Sequence, residues 1–122
     1  MIQMGTRMVV ADNSGAKIVR CVKILGGSKK MIGKIGDIII ISVEKTIMPK
    51  KIKEGSIWKS IIVRTKYIHK RRDGTSINLG ENAVILLDKD KNIVGTRIFG
   101  CIPKEIKESG INRIMSLAPE II

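Results

Sequence analysis

The chain has 122 residues, 43% of them hydrophobic, and its 23 basic against 11 acidic residues give a formal net charge of +12. This apolar share supports a folded core rather than a disordered chain, and clean apolar runs such as 38–41 are far shorter than the roughly 20 residues of a membrane-spanning helix. The first twelve residues fit neither a signal peptide nor a transit peptide, so we expect the protein to act in the compartment where it is made.

Short apolar runs separated by Gly, Asn and Asp predict many strands joined by tight turns. The predicted strands cover 8–10, 16–25, 35–43, 57–64, 83–87 and 93–99, with turns at 12–15 and 88–92. Pro49 has no N–H for a strand ladder, so it marks an edge or a loop. This many short strands in a small chain indicates a closed barrel, because closure removes exposed strand edges.

Alternation of side chains along each strand predicts which residues face the barrel interior. The residues expected inside are Ile39, Ile41, Val63 and Ile85. Two lysines, Lys23 and Lys59, are expected outside. On the second strand, one face is expected to carry Ile18, Val22 and Ile24, and the opposite face Lys17 and Lys23.

Asp73-Gly74 predicts a β-hairpin with a two-residue type I′ turn, because this pair tolerates the positive φ angles that such a turn requires. Its flanks, 64–72 and 75–79, would form a ribbon. The ribbon is expected to be basic, since its first flank carries Lys66, Lys70, Arg71 and Arg72.

The C-terminal part of the chain has a different pattern. Pro103 and Gly110 bracket a predicted short helix, and 111–117 predicts a second one. No repeat or linker divides the sequence, so we expect one domain over residues 1–122. The barrel would occupy about 1–100 and the helical segment about 101–122.

The positive charge is concentrated in the middle of the chain. Residues 17–34 carry six basic and no acidic residues, and residues 44–73 carry ten basic and three acidic ones. Residues 74–122 hold six of each. Blocks of one sign on a folded domain indicate a polyanionic partner. Nucleic acid is the favoured partner, with an anionic membrane surface and simple solubility as the alternatives.

Three aromatic residues, Trp58, Tyr67 and Phe99, are too few for a platform that stacks several bases. The basic residues are therefore expected to contact phosphates and backbone shape, which favours folded RNA or a duplex. The predicted phosphate-binding residues are Lys17, Lys29, Lys30, Lys34, Lys50, Lys51, Lys53, Arg64, Lys66, Lys70, Arg71 and Arg72.

Candidates for catalysis or metal binding are few. Cys21, Cys101 and His69 do not supply the four clustered ligands of a zinc site, and two buried free thiols are favoured, although a disulfide stays open. His69 has no nucleophile or orienting carboxylate recognisable by pattern, so a solvated or phosphate-contacting histidine is favoured over a general base. The stretch 27–35 has the wrong spacing for a phosphate loop. We expect no cofactor, no metal and no catalytic residue.

Seven segments, taken together in this order and spacing, resemble one family over the whole chain. They are Val10–Lys17, Leu25–Lys30, Val63–Lys66, Asp73-Gly74, Asn82–Val84, Gly95–Gly100 and Ser116–Glu120. The family is ribosomal protein L-fourteen of the large ribosomal subunit. The resemblance implies a five-stranded barrel with a projecting β-ribbon and two short C-terminal α-helices.

The resemblance also implies partners. It implies binding to large-subunit rRNA, contact with ribosomal proteins L-three and L-nineteen, and an intersubunit bridge that reaches small-subunit rRNA. In the family, a ribosome-silencing factor docks on the same face, and no membrane is involved. The residues here that match this region are Thr96, Arg97, Lys104, Lys107 and Arg113. The alternative for Arg97 is an ion pair with an internal acid.

The sequence departs from the family pattern at three positions. Arg72 stands where a Pro is usual, Leu79 where an aromatic is usual, and Cys101 where a Pro is usual. The stretch 113–119 resembles the proteobacterial and mitochondrial members. Together with 25 Ile and 16 Lys against 7 Arg, which indicate an AT-rich genome, this favours an organelle-encoded mitochondrial protein, with a bacterium or a plastid as alternatives.

Two other classes of function stay open beside a structural ribosomal protein. One is a free nucleic-acid-binding regulator built on a similar small barrel. The other is an RNA-modifying enzyme, which would need a nucleophile, base or cofactor loop that the sequence does not present.

Overall fold

The computed structural model describes residues 2–27, 30–47 and 51–122. Within these residues, nine strands run in chain order: β1 Arg7–Val10, β2 Ala16–Ile24, β3 Ile38–Thr46, β4 Ile57–Arg64, β5 His69–Lys70, β6 Ser76–Ile77, β7 Ala83–Leu87, β8 Cys101–Ile102 and β9 Glu120–Ile121. A 3-10 helix, Lys104–Ser109, and a helix α1, Asn112–Leu117, lie between β8 and β9. The first of the two predicted α-helices is therefore a 3-10 helix.

Five of the strands close into a barrel in the order β1-β2-β3-β4-β7, which confirms the predicted mainly-β barrel. Neighbouring strands are antiparallel except β1 and β7, which are parallel and complete the closure. β5 and β6 form a separate two-stranded ribbon, and β8 pairs in parallel with β9. No strand in the barrel has a free edge, since each pairs on both sides.

The barrel interior is filled by apolar side chains from all five of its strands, a set that we call the barrel core. Its members are Ile2, Met8, Ala16, Val19, Cys21, Ile24, Ile39, Ile41, Val43, Ile52, Ile62, Val84 and Leu86. Ile39 and Ile41 are inside, as predicted. Lys23 is exposed and Lys59 is half-buried on the other face, so both predicted exterior lysines lie outside the barrel core.

A second set of buried side chains, the C-terminal core, packs the outer face of β4 and β7 against the C-terminal segment. Its members are Ala11, Ile61, Val63, Ala83, Ile85, Leu87, Ile98, Ile102, Ile106 and Ile114. The prediction that Val63 and Ile85 face the barrel interior is therefore wrong. Both are fully buried, but beneath the C-terminal segment. β7 is covered on both faces, so all five of its residues are buried. An alternation of apolar and polar residues therefore cannot show which of its side chains face the barrel interior.

The predicted apolar face of β2 is also wrong at Val22, which is 39% exposed. Three register irregularities interrupt the pairing of β2 with β3, between Ala16 and Ile18, between Ile18 and Val19, and between Cys21 and Lys23. Each irregularity shifts the alternation. The buried residues are accordingly Ala16, Val19, Cys21 and Ile24.

The predicted strand 93–99 does not form. The segment makes only isolated bridges, Leu87 to Ile93 and Asp12 to Ile98. Between them, the N–H groups of Thr96 and Arg97 donate to the side chain of Asn13 rather than to a neighbouring strand. The predicted turn at 88–92 is present, with a hydrogen bond from the Asp88 N–H to the Asn92 carbonyl.

The ribbon turns at Asp73-Gly74 as predicted, but with a different geometry. Gly74 has a φ of 88°, whereas Asp73 is not among the described residues with positive φ, so the turn is not type I′. The Gly74 N–H donates to the Arg71 carbonyl, and the Arg71 N–H donates to the Thr75 carbonyl. This arrangement encloses a three-residue loop with a left-handed glycine.

Three residues with sequence-based predictions, Lys29, Pro49 and Lys50, lie outside the described residues. The four strands β1, β2, β4 and β7 begin and end within one residue of their predicted bounds, and β3 begins and ends three residues later than predicted.

Candidate nucleic-acid interface

Most of the predicted phosphate-binding cations in the described part of the chain are exposed. They are Lys17, Lys30, Lys34, Lys51, Lys53, Lys66, Lys70 and Arg72. Lys30 forms an ion pair with Asp37 at 3.0 Å, and the other seven are in none of the ion pairs found among the described residues. Their charges are available to a polyanion.

Arg64 is a correction to the prediction, because it is buried at the end of β4. Its guanidinium donates from Nη1 to the carbonyl oxygens of Phe99 and Cys101, at 2.9 and 3.2 Å, and its Nη2 lies 3.1 Å from Glu81. Its side chain is 7% exposed. The residue therefore holds the segment after the barrel and is not available to a phosphate.

Arg71 is a second correction. Its Nε lies 2.6 Å from a carboxylate oxygen of Glu105, and its Nη2 donates to the Ile122 carbonyl at 2.7 Å. The guanidinium is thereby committed to the 3-10 helix and to the C-terminus. Arg71 attaches the ribbon to the C-terminal segment, whereas its neighbours Lys70 and Arg72 are exposed and present free positive charges.

Gly100 shows how closely Arg64 is packed. The glycine has a φ of 80°, and a Cβ atom built there would meet the Arg64 guanidinium. A side chain at position 100 would displace the arginine that holds the neighbouring carbonyls. The glycine is thus required by both backbone conformation and space.

Two grooves run beside β5. One, of about 550 Å³, lies between the ribbon, the loop 35–37 and the 3-10 helix, and the other, of about 370 Å³, lies on the side of Lys34 and Tyr67. The cations that line them are Lys34, Lys70, Arg71, Arg72 and Lys104. The first groove also holds Asp37, Asp73, Glu105 and Glu108, whereas no acidic residue lines the second.

Lys104 therefore lies beside ribbon residues and not only among the residues predicted to contact the small subunit. Lys107 and Arg113 are exposed on the 3-10 helix and on α1. These two elements are anchored by Ile106 and Ile114, which are fully buried in the C-terminal core. The anchoring fixes the helices against β4 and β7 and leaves both cations on the outer surface.

The loop Gly95–Arg97 is held by Asn13, a residue whose role the sequence did not reveal. Asn13 Oδ1 accepts hydrogen bonds from the N–H groups of Thr96 and Arg97 at 2.8 and 3.0 Å. Asn13 Nδ2 donates to Thr96 Oγ1 at 3.0 Å, and the Asn13 N–H donates to the Arg97 carbonyl. A Cβ atom at Gly95 would lie 2.8 Å from Asn13 Oδ1, so this approach requires glycine.

Thr96 and Arg97 are both exposed at the tip of this loop. None of the ion pairs among the described residues includes Arg97, so the alternative that it pairs with an internal acid is wrong for this part of the chain. The backbone of Arg97 is fixed by Asn13 while its guanidinium is free. The sequence predicts Asn13 only as part of the turn 12–15. No short motif distinguishes a turn asparagine from one that holds a distant loop by hydrogen bonds.

Asp12, beside Asn13, is a buried carboxylate that ties the same turn to β7. Its Oδ1 accepts from the Ser14 N–H at 3.0 Å, and its Oδ2 accepts from the Leu86 N–H at 3.2 Å. Burial raises the pKa of Asp12 above 3.8, and the hydrogen bonds from Ser14 and Leu86 and the charge of Lys51 offset this only in part. The carboxylate holds the turn that carries Asn13.

The described residues offer little to catalysis or metal binding. Cys21 and Cys101 are both free, so the disulfide alternative is wrong, and burial raises the pKa of the Cys21 thiol. No group of three or more His, Cys, Asp or Glu side chains among these residues is placed to hold a metal ion. In the same part of the chain, no helix has the length and apolar character to cross a membrane.

Comparison with models of protein families matches the whole chain, residues 1–122, to the family described as Ribosomal protein L14p/L23e. The match agrees with the resemblance found in seven separate segments and with the closed five-stranded barrel. The chain belongs to this family, and it is accordingly a structural protein of the large ribosomal subunit that binds rRNA and other ribosomal proteins.

Proposed function

We propose that the protein is held to rRNA mainly by phosphate contacts of its exposed lysines and of Arg72. The observation that carries this proposal is the set of exposed cations in the described part of the chain, which are free of ion pairs apart from Lys30 and some of which line the two grooves beside the ribbon. The contact residues are Lys17, Lys30, Lys34, Lys51, Lys53, Lys66, Lys70 and Arg72, with Lys29 and Lys50 retained from the sequence. Arg64 and Arg71 are left out because their guanidinium groups are committed inside the protein.

The salt dependence of binding tests this proposal. If roughly six phosphates are contacted, log K against log salt falls with a slope of about −5 for the full chain and the rRNA fragment that it protects from nuclease. Replacing Lys34, Lys70 and Arg72 together by Ala flattens the slope by about two to three. Lys89→Ala with Lys91→Ala, which removes two exposed lysines outside the basic segments, is the control for a general loss of positive charge. A full-chain slope shallower than about −2 would contradict the proposal.

The second part of the proposal concerns an intersubunit bridge. Arg97 at the tip of a loop held by Asn13, together with Lys107 and Arg113, would contact small-subunit rRNA. Residues 74–122 carry six basic and six acidic residues, and a surface of mixed charge suits a contact that forms and releases. Arg97 offers a planar fork of donors to a phosphate. Thr96 lies beside Arg97 on the same loop. Lys104, which lines the groove beside the ribbon, would contact large-subunit rRNA at the edge of this surface.

Subunit joining tests the bridge. Arg97→Ala with Arg113→Ala is expected to leave large subunits assembled but to weaken their joining to small subunits, so that gradient profiles show free subunits accumulating. Lys89→Ala with Lys91→Ala removes the same charge from an exposed turn and should leave joining unchanged. Normal joining combined with defective large-subunit assembly would place Arg97 and Arg113 in rRNA packing instead.

We also propose what the family resemblance implies about domain organisation, protein neighbours and location. The protein would act as one domain over 1–122, with L-three and L-nineteen as its protein neighbours and a ribosome-silencing factor docking on the face of Arg97. A location in the mitochondrial matrix, encoded by the organelle, is favoured over a bacterial or plastid one. Cross-linking of assembled large subunits, read by mass spectrometry, identifies the neighbours, and fractionation identifies the compartment.

A further inference from the structure

Tyr67, the single tyrosine, lies on the surface between the barrel and the ribbon. Its side chain belongs to neither the barrel core nor the C-terminal core, and the residue is 57% exposed. The other two aromatic residues are more covered: Trp58 packs on the barrel core and Phe99 is 49% exposed. An exposed aromatic ring that contributes to no core is free to contact a ligand.

Two hydrogen bonds hold the backbone at Tyr67 and at the residue before it. Thr65 Oγ1 donates to the Tyr67 carbonyl at 3.1 Å, and the Lys66 N–H donates to Asn82 Oδ1 at 2.9 Å. Thr65 itself is buried. The ring is therefore presented from a held segment, which lowers the conformational entropy that a ligand must remove on binding.

Tyr67 lines the groove of about 370 Å³ beside β5. The groove combines an apolar surface, from Ile35 and Ile68, with cations, from Lys34 and Lys70. Both lysines are exposed, and neither takes part in the ion pairs found among the described residues. Among the described residues, no acidic side chain lines this groove, in contrast to its larger neighbour.

This combination fits one nucleotide better than a duplex or a peptide. A duplex covers the faces of its bases, so it would leave the ring unused, whereas an unpaired base has a face to stack on it. The phosphates on either side of such a base would meet Lys34 and Lys70. The carboxylates of an acidic peptide would pair with the lysines but offer no flat face to stack on the ring.

We propose that the groove formed by Tyr67, Lys34 and Lys70 binds a single unpaired nucleobase of the rRNA, with the base stacked on the Tyr67 ring and its flanking phosphates on the lysines. The inference rests on the rRNA contacts proposed above and adds a site for one extruded base to them. One ring holds one base, so the site is compatible with a chain that has too few aromatics for a stacking platform.

Affinity and salt slope, measured together, test the inference. With the full chain and the rRNA fragment that it protects from nuclease, Tyr67→Leu is expected to weaken binding by about 5- to 150-fold, the range for losing one base–aromatic stack. The salt slope stays as in the unchanged protein, because stacking releases no counterions. Tyr67→Phe keeps the ring and should bind within about twofold of the unchanged protein. Ile57→Ala, at a residue that is 61% exposed outside the groove, is the control for loss of exposed apolar surface.

The two proposals fail in different ways. If Lys34→Ala with Lys70→Ala leaves the slope unchanged, the phosphate contacts proposed for this groove are wrong. If that variant flattens the slope but Tyr67→Leu binds as tightly as the unchanged protein, the phosphate contacts stand and the base site is wrong. Thermal unfolding of each free variant separates a folding defect from a binding defect. Ultraviolet cross-linking of Tyr67 to a neighbouring protein in the large subunit, instead of to rRNA, would also overturn the inference.

Discussion

The barrel core and the C-terminal core lie on opposite faces of the same two strands, but they are closed by different interactions. Around the barrel core, backbone hydrogen bonds join five strands without a free edge. Across the C-terminal core, the 3-10 helix and α1 have no ladder to β4 or β7, and apolar side chains such as Ile106 and Ile114 make the contact. The first core is specified by backbone pairing and the second by side chains.

Two arginines strengthen the second closure. Arg64 binds the carbonyl oxygens of Phe99 and Cys101, and Arg71 binds Glu105 and the Ile122 carbonyl. Both arginines come from the basic middle of the chain, and their partners come mostly from its neutral C-terminal part. The surface proposed for the small subunit is thus fastened to the surface proposed for rRNA, which keeps the two contacts at a fixed distance.

The largest effect that separates the two cores is expected from truncating an isoleucine in each. Ile41→Ala leaves a cavity in the barrel core and should lower the free energy of unfolding by about 2–5 kcal/mol. Ile106→Ala should instead loosen the C-terminal segment locally, because no strand ladder transmits the loss to the barrel. Amide hydrogen exchange checks this: exchange rises throughout the chain for the first variant and mainly after residue 101 for the second.

Ile57→Ala serves as the control for both variants, because this residue is 61% exposed and should change stability by no more than about 0.5 kcal/mol. Equal loss of protection in the barrel strands for Ile41→Ala and Ile106→Ala would show that the two cores unfold as one unit.

The sequence predicted the first core better than the second. β7 is a continuous apolar run, and β4 is an apolar run interrupted by Lys59 and Ser60. Both strands begin just after turn residues, so their bounds could be predicted to the residue. Their facing could not, because Val63 and Ile85 are as apolar as the residues that point inward, and only the C-terminal segment makes their face a second interior. The alternation in β2 failed at Val22 for a different reason, since the irregular pairing with β3 is set by contacts between strands.

The positive charge of the candidate site could be predicted from the sequence. Which basic residues are exposed and which are bound inside the protein could not. The sequence around a basic residue in this segment does not show whether its side chain contacts a phosphate or a carbonyl oxygen of the protein itself. Arg64 and Arg71 are committed through Glu81, Glu105 and three backbone carbonyls that are distant in sequence. Nothing local to either arginine indicates those partners, whereas the exposed lysines have the solvated positions that a phosphate contact needs.

The next largest effect tests directly which basic residues contact rRNA and which bind groups of the protein itself. Arg64→Met removes the donors to two half-buried carbonyl oxygens, and leaving these acceptors unpaired should cost about 1–3 kcal/mol of the free energy of unfolding. The salt slope of rRNA binding should not change, because the guanidinium contacts no phosphate. Lys70→Met should do the reverse, with unchanged stability and a slope flatter by about 0.7 to 0.9. An Arg64→Met variant with full stability and a flatter slope would return Arg64 to the rRNA interface.

A smaller effect is expected at Asn13, which connects the barrel to the proposed bridge. Asn13→Ala removes three side-chain hydrogen bonds to Thr96 and Arg97 and should cost about 1–2 kcal/mol. Amide exchange at residues 95–97 should increase, and subunit joining should weaken although Arg97 is still present. Asn13→Asp keeps the acceptor for both N–H groups and loses only the donor to Thr96, so it should recover part of the loss. Unchanged exchange at 95–97 in Asn13→Ala would show that the loop is held by other contacts.

The smallest expected effect is a difference in pH dependence between two aspartates. Burial raises the pKa of Asp12 above 3.8, whereas hydrogen bonds from Thr75 lower the pKa of Asp73 below it. Between pH 3.8 and the raised pKa of Asp12, the Asp12 carboxyl binds fewer protons in the unfolded chain than in the folded chain. The contribution of Asp12 to stability is therefore complete below pH 3.8 and is lost as pH rises through the pKa of the folded state.

Asp73 acts in the opposite sense, since its contribution is present above 3.8 and is lost as pH falls through its lowered pKa. Titration of the side-chain carboxyl carbons by NMR should therefore place Asp12 above 3.8 and Asp73 below it. Asp73→Asn should reduce the loss of stability on acidification, and Asp12→Asn should make it steeper, because the group that opposes the loss is gone. Titration of Asp12 at or below 3.8 would show that its hydrogen bonds from Ser14 and Leu86 outweigh its burial.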